Sequence, residues 1–339
     1  NGGVMKIGVS LGISSREPIQ HTVEVVQSAE ALGFDSTWIA DVQLSMKDCF
    51  AALTLCAVNT SKILLGTGVT NPITRHPTTI ANTFTALKEL SGDRAVIGIG
   101  TGWTAVYSVG EKPSTIKQLE RAIVDIRSLC AGEEVEGSDG SNYRLVTATG
   151  KIPIYIAANQ PRMLRLAGRV ADGVILMGGA NAEFTAWQID HVRHGAEEAG
   201  RNIGDISLDL WAAIGLADDR EQAVGEVRHW VASQAETFNK WRELPDFLRP
   251  FEDEFKAAGK AYDRHEHMSQ HAGHAGSVST ELVEYLSFVG EADDCLAQIR
   301  SLEPLGLNRV TLAFRAGGRQ QRMEAIHEGI IAPLNASAA

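Results

Sequence analysis

The stretch Gly66–Pro77 (GTGVTNPITRHP) joins two segments of different periodicity. Before it, Ile63–Val69 begins as a short apolar run of the length of a buried strand. After it, Thr78–Leu90 has apolar residues at helical spacing. Glycine, asparagine and proline at the junction are typical of a turn between elements. The stretch therefore predicts a β-strand, a turn and an α-helix in that order.

The same strand-then-helix order recurs along the chain on both sides of this stretch. The predicted strands share a short apolar run that ends in small or polar residues: Met5–Gly12, Ser36–Ala40, Ile63–Val69, Ala95–Gly100, Ile152–Ala157, Val174–Met177, Ile206–Leu216 and Arg309–Phe314. Eight strands that alternate with helices imply a closed parallel sheet. We therefore expect an α/β fold, a (β/α)8 TIM barrel that forms one domain over residues 5–335.

A long insertion precedes the eighth predicted strand. Residues 238–279 (Phe238–Ser279) are rich in Trp, Phe, Pro and His, and they are too many for an ordinary connection. We expect this insertion to act as a lid over the active-site mouth of the barrel. The segment after it, Thr280–Leu302, is predicted to be helical, with one apolar run before Gly290 and a second at Cys295, Ile299 and Leu302.

Composition excludes several classes of function. The 339 residues carry a formal net charge of −11, which gives no field that would attract nucleic acid or an anionic membrane. No apolar run approaches the length of a membrane span, and no secretory signal is recognisable, so we expect a soluble cytoplasmic protein. Its four cysteines show no Cys-x-x-Cys pair and are expected to be reduced core residues. We expect a small organic substrate and a homo-oligomer, either a dimer or a tetramer.

Small residues cluster after several predicted strands, where the loops of a barrel build the active face. Glycine lets the backbone approach a ligand, so we expect a large planar or phosphorylated group there, although tight turns also favour glycine. The candidate cofactor-binding residues are Gly68, Val69, Thr70, Asn71, Gly100, Thr101, Gly102, Ala157, Ala158, Asn159, Gln160, Gly178 and Gly179. Gly178 and Gly179 precede a helix whose N–H groups could meet a phosphate. Asn159 could instead cap the following helix.

Candidates for acid–base chemistry lie in the same loops and in the insertion. Asp41 follows the second strand and could orient a cofactor or act as a base, or it could form a turn. Arg75 and His76 open the third helix, where they could meet a phosphate or move protons, or where His76 could cap the helix. The insertion adds a histidine cluster: His265, His267, His271 and His274.

The histidine spacing matches no zinc pattern, so no metal site is predicted. Trp103, Tyr107 and Trp241 are candidate aromatic walls of a substrate pocket, and the alternative for each is ordinary core packing.

Three runs together resemble a known family. Gly66–Pro77, Leu90–Arg94 (LSGDR) and Gly98–Gly102 (GIGTG) are similar to segments of the bacterial luciferase superfamily, most of all its methylene-tetrahydromethanopterin reductase branch. The resemblance implies a barrel that holds FMN or its deazaflavin relative, coenzyme F420, at the mouth, with hydride chemistry at the central ring. It also implies a cis peptide bond between Gly68 and Val69.

The chain departs from that family pattern at two positions. Several deazaflavin dehydrogenases carry Asp-His after strand two, whereas Asp41 is followed here by Val42, which disfavours a sugar-phosphate dehydrogenase mechanism. Trp103 stands where many relatives have a small or acidic residue. The favoured function is F420-dependent hydride transfer. The alternatives are an FMN-dependent monooxygenase supplied by a separate flavin reductase, and a barrel that only binds a ligand.

Overall fold

A computed structural model describes residues 4–261 and 276–337. It contains a closed barrel of eight parallel strands surrounded by helices, as the sequence predicts. The barrel strands are β1 (Lys6–Leu11), β2 (Ser36–Ile39), β3 (Leu64–Thr67), β4 (Ala95–Ile99), β7 (Ile154–Ala158), β8 (Gly173–Leu176), β9 (Ser207–Leu216) and β11 (Arg309–Ala313). Their order around the barrel is β1-β2-β3-β4-β7-β8-β9-β11, and β9 also pairs with β8.

The helices follow the strands in the predicted alternation. In the first part of the chain they are α1 (Ile19–Ala31), α2 (Cys49–Asn59), α3 (Pro77–Ser91), α4 (Thr104–Tyr107), α5 (Ile116–Ala131) and α6 (Pro161–Val170). Further along they are α7 (Ala182–Glu198), α8 (Arg220–Phe238), α9 (Glu252–Ala261), α10 (Thr280–Leu286), α11 (Ala292–Ser301), α12 (Arg319–Ile326) and α13 (Ala332–Ala336). A short hairpin, β5 (Val135–Glu136) with β6 (Asn142–Tyr143), forms part of the polar segment after α5.

The helical prediction for Thr280–Leu302 is wrong at Ser287–Gly290. A strand, β10 (Ser287–Gly290), separates α10 from α11 and pairs in parallel with the carboxyl half of β9. All four of its residues are buried. A short apolar run is compatible with helix or strand, and its pairing with β9 decides for the strand.

The chain divides into two compact units. One comprises Gly8–Ile175 with His191–Ser207, and the other comprises the described residues within Asn1–Ile7, Leu176–Asp190 and Leu208–Ala339. We call them the strand-three unit and the insertion unit, after β3 and the segment 238–279 that they contain.

In the strand-three unit, the indole of Trp38 lies fully buried against β3 and β4. A Cβ on Gly66 would overlap the Trp38 ring, and one on Gly98 would overlap the carbonyl oxygen of Thr67. Internal packing therefore requires glycine at both positions.

The core of the insertion unit is aromatic. Phe184 of α7, Phe238 of α8 and Phe255 of α9 are each at most 1% exposed, and all three belong to one apolar cluster. Helix α9 and the turn before it, Asp246–Phe251, supply buried side chains to that cluster from within the predicted insertion. The described part of the insertion thus has a packed interior, while its role as a lid stays a prediction.

Candidate functional site

The carboxyl end of β3 bears the unusual backbone that the resemblance implies. The peptide bond between Gly68 and Val69 is cis. Thr70 follows directly, and its N–H donates to the carbonyl of Gly98 at 2.9 Å while its own carbonyl accepts from the N–H of Gly100 at 3.0 Å. The backbone after the cis bond is therefore tied to β4.

Val69, Gly100 and Ala157 come from the ends of three neighbouring strands and meet at one place. A Cβ on Gly100 would lie 3.2 Å from Cγ2 of Val69 and 3.8 Å from Cβ of Ala157. Val69 and Ala157 are both partly exposed. These three residues form a small apolar floor, called here the strand-end floor, that an alanine at position 100 would fill.

The loops beyond this floor also lie side by side. Gly102 has φ +87°, and a Cβ there would lie 3.2 Å from Cβ of Asn71 and would overlap Val106. Asn71 is 1% exposed, and its side-chain oxygen accepts from the N–H groups of Ile73 (3.1 Å) and Thr74 (2.9 Å). The Asn71 amide thus closes its own turn, which explains asparagine there without a ligand.

The end of β7 presents an amide with no protein partner. Helix α6 begins at Pro161 with Gln160 at its N-cap, so Asn159 does not cap it. Asn159 is half-buried, and its side chain hydrogen-bonds to nothing within residues 4–261 and 276–337. Its donor and acceptor are therefore available to a ligand. Ala158 is buried and Gln160 is exposed.

Asp41 lies beyond the end of β2 and is 2% exposed. It accepts a hydrogen bond from the hydroxyl of Thr70 at 2.8 Å and two from the guanidinium of Arg75, at 2.9 and 3.2 Å. The positions of Arg75 and Asp41 were both predicted, but their pairing was not, because 34 residues separate them in sequence.

His76 occupies the capping position named as its alternative role. It is the exposed N-cap residue of α3, and its Nδ1 accepts from the N–H of Thr78 at 3.3 Å. A histidine that caps a helix at the surface needs no catalytic role to explain it.

Trp103 and Tyr107 form an aromatic pair beside the β4 loop. Their rings meet edge to face, with centroids 5.2 Å apart and planes at 83°, and both side chains are half-buried. Gln43, from the loop after β2, donates to the carbonyl of Ala105 at 2.9 Å and so connects the two loops. The pair can offer an apolar face to a substrate.

In the insertion unit, Gly178 and Gly179 are buried, and packing accounts for both. A Cβ on Gly178 would overlap the side chain of Gln188, and one on Gly179, at φ +93°, would lie 2.6 Å from the carbonyl oxygen of Leu286. The side-chain oxygen of Asn181 already accepts from two N–H groups in the first turn of α7. These facts explain the glycine pair without a phosphate.

Trp241 lies within the aromatic core of the insertion unit and is 8% exposed. Its ring stacks on Trp187 at a centroid distance of 6.2 Å and meets the edge of Phe238 at 5.1 Å. This is the packing role that the sequence left open as the alternative for Trp241.

Four predicted histidines, His265, His267, His271 and His274, lie outside the described residues. Within residues 4–261 and 276–337, no group of three or more His, Cys, Asp or Glu side chains could hold a metal ion. Across the same residues, no helix is long and apolar enough to span a membrane. The four cysteines are unpaired and buried, as expected.

Two residues that matter to this site were missed by sequence reasoning. Asp48 and Phe50 both contact Arg75: the Asp48 carboxylate accepts from its Nη2 at 2.8 Å, and the Phe50 ring lies 4.3 Å from its guanidinium carbon. An Asp directly before the helical pattern at Cys49 was the available signal for Asp48, which caps α2.

Comparisons with known proteins agree with this fold. A family model described as luciferase-like monooxygenase matches residues 2–309. A 5,10-methylenetetrahydromethanopterin reductase of Methanolobus tindarius is 30% identical over 319 residues, which cover 90% of this chain and 94% of that protein. An F420-dependent glucose-6-phosphate dehydrogenase of Microbacterium testaceum is 33% identical over 223 residues, covering 60% of this chain and 66% of that protein.

A solved structure is similar over the whole chain. The coenzyme F420-dependent tetrahydromethanopterin reductase from Methanopyrus kandleri superposes with a TM-score of 0.79 at 25% identity, covering 98% of this chain and 100% of that one. Fold, cis bond and sequence similarity thus define the class as a TIM-barrel oxidoreductase. The chain belongs to the bacterial luciferase-like family.

Proposed function

We propose that this chain catalyses coenzyme F420-dependent hydride transfer to or from a small organic substrate. The observation that carries the proposal is the strand-end floor of Val69, Gly100 and Ala157. Because Gly100 has no Cβ, space remains beside the partly exposed side chains of Val69 and Ala157. The names of two similar proteins support the cofactor: the F420-dependent glucose-6-phosphate dehydrogenase at 33% identity and the coenzyme F420-dependent tetrahydromethanopterin reductase of similar structure.

The residues of the strand-three unit fit a flat tricyclic ring. The floor is apolar, which suits a ring face, and Asn159 offers an unpartnered amide, which suits the polar edge of a pyrimidine-like ring. When bound, coenzyme F420 supplies the ring carbon that takes up or gives back the hydride. Val69 and Ala157 would contact the face of the ring, and the Asn159 amide would orient the polar edge of the ring.

The protein's own residues then contribute to hydride transfer mainly by orienting the cofactor and the substrate, and less by side-chain acid–base chemistry. Asp41 has both oxygens engaged and is 2% exposed, so it is poorly placed to exchange a proton with a substrate. Trp103 and Tyr107 would form one apolar wall of the substrate pocket and keep water from the reacting atoms.

A sugar phosphate is not the substrate we favour. Val42 follows Asp41 where the related dehydrogenase pattern places a histidine, and Arg75, a cation close to this site, is already paired with Asp41 and Asp48. The apolar wall of Trp103 and Tyr107 favours a substrate whose reacting part is uncharged.

Titration of the purified protein with oxidised coenzyme F420 and, separately, with FMN tests the proposal, with ligand fluorescence as the signal. We expect saturable binding of F420 and weaker binding of FMN. In Gly100→Ala, the added methyl fills the floor, and we expect F420 binding to weaken at least about tenfold, since the ring can no longer approach.

The matched control is Gly225→Ala, because Gly225 is exposed on α8 and a Cβ there meets nothing within 4 Å. Its F420 affinity should equal that of the wild type. FMN binding with oxygen uptake and no F420 binding would contradict the proposal and favour the monooxygenase alternative. Equal binding by Gly100→Ala and wild type would remove the strand-end floor from the site.

A further inference from the structure

Asp41 connects two segments that meet beside the cis peptide bond. Its Oδ2 accepts from the Thr70 hydroxyl at 2.8 Å and from Nε of Arg75 at 3.2 Å, and its Oδ1 accepts from Nη2 of Arg75 at 2.9 Å. The Asp41 side chain is 1% exposed and that of Arg75 is 18% exposed. Charge-assisted bonds of this bidentate kind are directional as well as strong.

Arg75 also contacts Asp48 and Phe50. The same Nη2 donates to Oδ2 of Asp48 at 2.8 Å, and the guanidinium carbon lies 4.3 Å from the centre of the Phe50 ring. Burial lowers the pKa of Arg75, but its hydrogen bonds to the two carboxylates outweigh that effect and hold the pKa above its ordinary value. Arg75 is therefore a permanent cation whose Nε and Nη2 donors are used within the protein.

Thr70 is held by a hydrogen bond to the Asp41 carboxylate of this ion pair. Its hydroxyl is bound to Asp41, its N–H to the Gly98 carbonyl and its carbonyl to the N–H of Gly100, and it is 0% exposed. Thr70 directly follows Val69, which is one side of the strand-end floor. The side-chain hydrogen bond of Thr70 therefore lies one residue away from the strand-end floor.

We propose that Asp41 and Arg75 are positioning residues that hold Thr70, and through it Val69, in the orientation that receives the cofactor ring. This inference rests on the proposed function. It assigns to Asp41 an orienting role in place of proton transfer, and to Arg75 the role of holding Asp41 in place.

Two substitutions of Thr70 separate positioning from simple stability. Thr70→Val keeps the volume of the side chain but removes the hydroxyl. Thr70→Ser keeps the hydroxyl but leaves a methyl-sized space, which costs folding stability. If Thr70 acted only as a packing residue, cofactor affinity would follow thermal stability and Thr70→Ser would bind worse than Thr70→Val.

Positioning predicts the opposite order. We expect the F420 dissociation constant of Thr70→Val to rise about tenfold, because a hydrogen bond to a charged group is lost, and that of Thr70→Ser to stay within about twofold of wild type. Thr85→Val is the matched control, since Thr85 is 1% exposed and its hydroxyl bonds only within α3, to the Asn82 carbonyl at 2.8 Å. Its F420 affinity should not change.

The absorption spectrum of bound F420 gives a second readout. It should be altered in Thr70→Val and in Arg75→Lys, which keeps the charge but loses the bidentate geometry, and unaltered in Thr70→Ser. Wild-type affinity and spectrum in Thr70→Val, or equal losses in Thr70→Ser and Thr70→Val, overturn this inference while leaving the proposed function intact. Failure of the wild-type protein to bind F420 overturns both.

Discussion

Glu226 and Arg322 form a buried ion pair between α8 and α12. The Arg322 Nη2 lies 2.6 Å from Oε1 of Glu226 and its Nε lies 3.2 Å from Oε2, and the two residues are 8% and 9% exposed. Arg315 adds a contact to the same carboxylate at 3.0 Å, and Nη1 of Arg322 donates to the Gly317 carbonyl at 2.8 Å. The loop that follows β11 is therefore anchored to α8 by one carboxylate.

Removal of that carboxylate should be costly. In Glu226→Ala, Arg322 would stay buried without its counter-charge, and we expect a loss of about 3–5 kcal/mol in the free energy of unfolding. Urea denaturation measures this. The control, Glu221→Ala, changes an exposed residue of the same helix and should cost less than about 1 kcal/mol. A loss of similar size in both variants would show that the pair does not anchor the loop.

Gly98 and Gly100 lie two residues apart at the end of β4, and alanine should affect them differently. At position 98, the new methyl would overlap the backbone carbonyl of Thr67, which cannot move within the sheet, so we expect destabilisation of about 3 kcal/mol or more. At position 100 the nearest atom is a side-chain methyl of Val69 at 3.2 Å, and the cost should stay below about 1 kcal/mol. Thermal unfolding of the two variants side by side tests the contrast, and equal stability would contradict it.

Asp209 should make the folded state less stable as the pH rises. It is 0% exposed, and burial raises its pKa to about 6, against the opposing effects of Arg309 and of the hydrogen bond from Thr311. Between pH 4 and 6, the folded protein therefore binds a proton that the unfolded chain releases, and the contribution of this group falls by roughly 2–3 kcal/mol across that range.

The difference in melting temperature between wild type and Asp209→Asn measures this contribution as a function of pH. We expect the difference to shift against the wild type from pH 4 to pH 7. Asp218→Asn, at an exposed position, should show no such trend. A difference that is constant with pH would mean that Asp209 ionises alike in the folded and unfolded chains.

Trp241 and Trp103 were both candidates for a substrate pocket, and truncation should separate them. Trp241 is 8% exposed among aromatic rings, so Trp241→Ala should cost about 3–5 kcal/mol of stability. Trp103 is half-buried and packs on Tyr107, so Trp103→Ala should cost below about 2 kcal/mol. Denaturant midpoints of the two variants check this, and the reverse order would exclude a core role for Trp241.

Much of the barrel follows from local pattern. The strand that leads into Gly66–Pro77 and the helix after it were predicted within two residues at each end, because a buried parallel strand and an amphipathic helix differ in their apolar spacing. The error came at Ser287–Gly290, where four residues carry too little periodicity to distinguish a strand from a helix. Its pairing with β9, more than seventy residues earlier, decided the matter.

The glycines show a second limit of prediction from the sequence. Clustered small residues after the strands suggested a ligand, and Gly100 does leave an open floor beside Val69. Yet Gly98 is required by the Thr67 carbonyl, and Gly178 by Gln188. A missing side chain looks the same in sequence whether the space is taken by a ligand or by the protein.

Local periodicity was thus sufficient to predict the barrel, and contiguous motifs were sufficient for the resemblance to a known family, which in turn implied the cis bond at Gly68–Val69. The pairing of Asp41 with Arg75 was not accessible in that way. Asp41 and Arg75 are 34 residues apart, and their charges are paired by the side-by-side placement of β2 and β3. Only that placement turns a candidate base and a candidate phosphate ligand into one ion pair, because a hydrogen bond depends on distance in space and not on distance along the chain.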